Sequence, residues 1–185
     1  MSTVLASAAL AGLPALTGMI GLVLAASAGR WSGRGGHGEH GGRAASLVAV
    51  STAAGGFVLV PLVPADATAA GRFLAVDLPG AGLELGMDPL ARATSLVVAA
   101  VLLAVVVCSV SGALDDSVSD PATGTSRPRL LGLLLVFAAG MHTTVLATSL
   151  PALIVGWEVM GVASGLLVAT AWRDPRRTKG ARRRS

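Results

Sequence analysis

The chain contains no tyrosine, a single cysteine, a single lysine and little charge of either sign across 185 residues. The one cysteine, Cys108, excludes both a disulfide framework and a thiolate metal set, and it sits inside an apolar run as a small hydrophobe. Aromatic residues are nearly missing as well, with three Trp and three Phe. No phosphate-binding loop, nucleotide fingerprint or hydrolytic triad is present, so nothing points to nucleotide or acyl chemistry. Charged residues make up only 13% of the chain.

What is abundant is apolar. Hydrophobic residues reach 53%, glycine adds 24 residues, and mean hydropathy is +0.73. A soluble domain of this size cannot hide so much apolar surface, so the bilayer is the expected solvent. The net charge of +4 could suggest nucleic acid, but seven of the 14 basic residues lie in the final stretch Arg173 to Ser185. Basic residues placed directly after an apolar run read as a cytoplasmic anchor and exclude nucleic acid as the partner.

Four stretches are almost free of charge. Ser2 to Gly29, Ala44 to Ala65 and Ala93 to Leu114 have none, and Leu130 to Trp172 has only Glu158. A spanning helix needs about 20 apolar residues. The first three stretches therefore make one helix each, and the fourth makes two. The break in the fourth is expected at Ser149-Leu150-Pro151, because proline suits the first turn of a helix. The expectation is an all-α integral membrane protein with helices near 3–28, 44–64, 90–112, 129–149 and 151–172, followed by a basic tail at 173–185. The first stretch reads as a retained helix and not as a cleaved leader, because no basic residue precedes it and it is longer than a signal core.

Charge sets an orientation. Arg30, Arg34 and Arg43 lie in the first loop, whereas Asp66 to Asp88 contains Arg72 against four acids. The positive-inside rule then puts the N-terminus outside and the tail in the cytoplasm of a multi-pass inner-membrane protein. The acidic loop contains "RFLAVDLPGAGLELGMDPL", two short extended runs around Pro79-Gly80, which reads as a β-hairpin on the outer face. "SDPATGTSRPR" reads as a flexible connection.

Candidate functional residues are few. Glu158 stands within a span, where a charge costs at least about 2.5–3.5 kcal/mol and normally faces protein or water. Gly161 and Gly165 follow at helical spacing on the same face. Their small-xxx-small pattern is expected to turn Glu158 into a helix interface. A carboxyl placed there suits uptake and release of protons. His142 lies as far before Leu150 as Glu158 lies after it, roughly 12 Å in each case. Two readings stand for His142: it shares a proton with Glu158, or it bonds to Thr143, Thr144 or a backbone carbonyl. His37, Glu39 and His40 have ligand chemistry, but their spacing is not that of a helical zinc site, so they read as a solvated loop.

At "LPALIVGWEVMGVASGLLVATAW" the chain resembles the fifth helix of the antiporter-like subunit L of bacterial NADH–quinone oxidoreductase (complex I). There, Gly-Trp-Glu before a run of glycine and small residues marks that helix. "LGMDPLARATSLVVAAVLLAVVVCSVSG" resembles the Asp-Pro-Leu start of the family's third helix, and "AGLPALTGMIGLVLA" resembles its first. The resemblance implies a membrane subunit, truncated or split, of a proton-translocating complex. It implies no redox cofactor in this chain, electron transfer being left to partner subunits. Glu158 would be the protonatable relay, with Gly156 and Trp157 as its motif neighbours. In the family that glutamate acts on a lysine of a later, broken helix. Here the only lysine is Lys179 in the tail, so a partner subunit would have to supply it. Alternatives implied by the same motif are a subunit of a cation/proton antiporter, a hydrogenase or an inorganic-carbon uptake complex. A further alternative is a non-transporting scaffold in which Glu158 only packs helices.

Overall fold

The computed structural model describes residues 2–31, 38–63, 67–72, 82–111 and 127–172. The basic tail, the Pro79-Gly80 turn, His37 and most of the flexible connection lie outside the described residues. Five α-helices follow in order: α1 (Ser2–Trp31), α2 (Gly38–Leu59, continued by a 3-10 turn at Val60–Leu62), α3 (Pro89–Val110), α4 (Arg127–Leu146) and α5 (Leu150–Trp172). The all-α membrane architecture expected from hydropathy is therefore present. Among the described residues four stretches are long and apolar enough to cross a bilayer: Ala44–Leu62, Pro89–Val110, Pro128–Leu146 and Leu150–Thr170. The described apolar stretch of α1, Ala11–Ser27, is shorter than a span. Pro14 lies inside α1 without ending it, as membrane helices tolerate when neighbours compensate.

Local chemistry sets the helix starts. Asp88 is extended and accepts the Ala91 N–H at 2.5 Å, while Pro89 occupies the first turn of α3, where no N–H is needed. Ser149 acts similarly at α5, its hydroxyl accepting from Ala152 N–H at 3.4 Å with Pro151 in the first turn. The break between α4 and α5 thus falls where proline required it. However, α4 ends at Leu146, three residues earlier than the expected boundary at 149.

Residues 147–149 are taken up by a hairpin. Strand β1 (Thr68–Arg72) pairs antiparallel with β2 (Gly82–Gly86), with Ala70 opposite Glu84. The first strand lies upstream of the run expected to form it, and residues 73–81 are outside the described residues. The hairpin is fastened to the α4–α5 turn. Glu84 N–H donates to Ser149 Oγ at 3.1 Å, Ser149 Oγ–H donates to the Gly82 carbonyl at 2.8 Å, and Thr148 N–H donates to the Glu84 carbonyl at 3.0 Å. These bonds give the turn's Thr148 N–H and Ser149 hydroxyl their partners on β2.

Helix α4 is the axis of the bundle, because glycine lets two neighbours touch its backbone. A Cβ placed on Gly21 of α1 would lie 2.6 Å from the Gly132 carbonyl oxygen, and one on Gly132 would lie 2.5 Å from the Gly21 carbonyl oxygen. On α5, a Cβ at Gly156 would lie 2.5 Å from Thr144 Oγ1, and one at Gly140 would lie 2.8 Å from the Met160 nitrogen. Close approach of this kind replaces the missing hydrophobic drive between helices in lipid. Around it Leu131 and Leu135 of α4, Val106 of α3 and Ala49 of α2 are fully buried.

Gly132→Leu is expected to destabilise the bundle by about 1–3 kcal/mol or more, since backbone and not a flexible side chain must give way. Gly161→Ala, with nothing within 4 Å of its added Cβ, is expected to be neutral or to stabilise by up to about 1 kcal/mol. Reversible unfolding of both variants in mixed micelles measures the contrast.

Candidate functional site

The side of α5 that meets α4 is built from Ala152, Gly156, Met160 and Ala163. Ala152, Gly156 and Ala163 are buried, and Gly156 touches the α4 backbone. Each helical residue advances about 100°. Glu158 therefore lies roughly 200° from Gly156, on the opposite side, and Gly161 and Gly165 fall beside it. Glu158 is exposed, as are both glycines, and neither glycine has an atom within 4 Å of an added Cβ. Trp157, next in the motif, is 63% exposed.

This corrects the expected interface. Glu158, Gly161 and Gly165 do share one face, but within the described residues that face meets no helix. The small-xxx-small pair that this chain uses on α5 is Ala152 with Gly156, one of two such patterns on the same helix. Gly156 was singled out only as a motif neighbour, and Gly140, its counterpart on α4, was missed. The available signal was "AAGMHTT", where Gly140 precedes Thr144 by one turn.

Of the two readings of His142, the pairing with Glu158 is not made and the bond to a backbone carbonyl is. His142 is 2% exposed. Its Nδ1–H donates to the Ala138 carbonyl at 2.9 Å, one turn back on α4. It lies about 200° around α4 from Gly140, the residue that meets α5. The imidazole is therefore turned towards α3, where the ring lies against the Ser95 backbone. Glu158 and His142 occupy the two outer sides of the α4–α5 pair. The equal-depth reasoning fails because α4 stops at Leu146. His142 is about 6 Å from its helix end and Glu158 about 12 Å from its own.

Compared with models of protein families and with curated proteins, the chain matches none. Among the described residues two loci stand out. One is an exposed carboxylate on an apolar helix, beside two open glycines. The other is a buried imidazole between α3 and α4. Among the described residues no group of three or more His, Cys, Asp or Glu side chains could hold a metal ion.

An exposed carboxyl on a membrane helix is open to an apolar carbodiimide. In bilayers, dicyclohexylcarbodiimide is expected to modify Glu158 in the isolated chain, with peptide mass spectrometry reading the adduct. Failure to react would show that the α5 face is covered without a partner. Glu158→Gln combined with a His142 variant is expected to change stability additively within about 0.5 kcal/mol, as for sites that do not touch.

Proposed function

We propose that this chain is a membrane subunit, truncated or split and subunit L-like, of a proton-translocating complex of the NADH–quinone oxidoreductase type. In this reading it spans a bacterial inner membrane with its N-terminus outside and its tail in the cytoplasm. The observation that carries the reading is the face of α5. An ionisable residue inside a span is costly unless it meets protein or water, and no described residue of this chain covers Glu158 on that face. Two glycines beside it leave room for a second helix to come close. The missing neighbour is then a helix of another subunit, and the resemblance around Gly156-Trp157-Glu158 suggests that it carries the lysine absent from these spans.

The proposed work of Glu158 is to hold and release a proton in a low-dielectric interface. An opposing cation would favour its charged form, and removal of that cation would favour its protonated form. The electron-transfer chemistry belongs to other subunits, and this chain contributes a stage in proton movement. The same open face serves the related cation/proton antiporter and inorganic-carbon uptake assemblies equally well, so the partners that copurify identify the complex.

Glu158→Gln in the native complex is expected to leave assembly intact and to lower proton pumping by about tenfold or more, in line with loss of a general acid–base group. Gly161→Leu is expected instead to weaken assembly, seen as loss of partner subunits on native gels. Unchanged pumping in a fully assembled Glu158→Gln complex would leave Glu158 a packing residue of a scaffold.

A further inference from the structure

Away from the hairpin, Leu24 of α1 shares a buried core with Ala45 and Ala49 of α2. Nearer the hairpin the same two helices leave a slot between them, a cavity of about 310 Å³. Its walls are small: Ala8, Ala9 and Gly12 line it from α1, and Gly55 and Gly56 from α2. A Cβ added at Gly55 or Gly56 would meet nothing within 4 Å. Leu13 and Thr17, both buried, form the inner wall, and Leu16 and Leu59 stand at the mouth, 58% and 48% exposed.

The dimensions of the slot select what fits. Its lining runs from Ala8 to Ile20 on α1 and from Ser51 to Leu59 on α2, roughly 12–18 Å along the helices. A cavity of that volume and length is roughly 5 Å across, whereas a helix with its side chains needs about 10–12 Å. A single hydrocarbon chain matches that width, because carbon atoms in van der Waals contact stand about 4 Å apart. The depth matches as well, since half of a hydrocarbon core about 30 Å thick is about 15 Å. Ala9 packs against the cluster of Val63, Met87 and Leu146 beneath the hairpin. Ile20 packs against the core that holds Leu24. The slot therefore starts at the hairpin end and closes about one leaflet down.

The lining asks for nothing polar. Thr17 Oγ–H donates to the Leu13 carbonyl at 2.7 Å, and the Ser51 and Thr52 hydroxyls donate to the Val48 carbonyl at 3.0 and 2.7 Å. Among the described residues no charged side chain borders the slot. A polar occupant would lose its hydration there without gaining a partner.

We propose that the slot between α1 and α2 holds one acyl chain of a phospholipid from the leaflet on the hairpin side. Left empty, the walls would forgo dispersion contacts along their whole length, and the bilayer at the mouth supplies a chain of the right width and depth. The small residues keep that space clear, as bulkier side chains at Gly12, Gly55 and Gly56 would not. The site lies on α1 and α2, apart from α5, and does not rest on the role proposed for Glu158.

Full-length protein is placed in vesicles of phosphatidylethanolamine and phosphatidylglycerol, a small fraction of which carries a diazirine midway along one acyl chain. After irradiation, peptide mass spectrometry locates the adducts. Labelling at Thr52, Gly55 and Gly56 is expected to exceed several-fold that at Val58, which is 59% exposed on the same helix and outside the slot. Gly55→Leu, which fills the slot, is expected to lower labelling at Thr52 and Gly56 to the Val58 level and to leave Val58 unchanged. Labelling no higher than at Val58 in the unsubstituted chain would overturn the proposal, because the slot is then covered by another helix or by a segment of this chain. Labelling that persists in folded Gly55→Leu protein would overturn it too. The unsubstituted comparison decides the matter even if Gly55→Leu does not fold.

Discussion

Everything in this bundle depends on backbone touching backbone along α4. Gly21 meets Gly132 on one side, and Gly156 meets Gly140 and Thr144 on another. In lipid there is no aqueous phase to drive apolar helices together, so close van der Waals approach and polar contacts must hold them. Once α1 and α5 are seated on these glycines, the rotation of α4 is set. Its remaining side then faces α3, and the hairpin closes over the end where α4 turns into α5.

That rotation decides the chemistry. His142 is carried inwards against α3 because it lies across the helix from Gly140, and Glu158 is carried outwards because it lies across its helix from Gly156. The imidazole becomes an internal group held by the Ala138 carbonyl and packed against the Ser95 backbone. The carboxylate becomes a surface group in a medium that does not solvate it. The first is enclosed by its own chain, whereas the second is left uncovered by the described residues. A single packing choice thus separates two polar residues that sequence spacing alone had brought together.

Much of the architecture was legible from composition and breakers. Charge-free stretches marked the helices, although α2 begins at Gly38 and takes in Glu39 and His40, which read as loop in the sequence. The Asp-Pro-Leu start of α3 came from the family resemblance, whereas Pro151 marked the start of α5. These features were readable because hydrophobic length and capping are local, each resting on a few neighbouring residues. The end of α4 was less readable, since Ala147 to Ser149 look apolar or neutral yet bond to the hairpin. Strand β1 was displaced for a similar reason: Thr68 to Arg72 are mostly small residues with little strand preference of their own, and they pair because β2 lies opposite.

The amino-acid order by itself determined an apolar, multi-helix chain with one carboxyl inside its last helix, because transfer of side chains into lipid is counted residue by residue. It also determined that Glu158, Gly161 and Gly165 share a face, since helical periodicity is intrinsic to the backbone. Only the tertiary structure decided which of the two small-residue patterns on α5 meets α4. Both allow close approach, and the choice between Ala152–Gly156 and Gly161–Gly165 rests on whether a facing helix offers a matching gap. Gly140 offers that gap to Gly156, and so Glu158 is left looking away from its own chain.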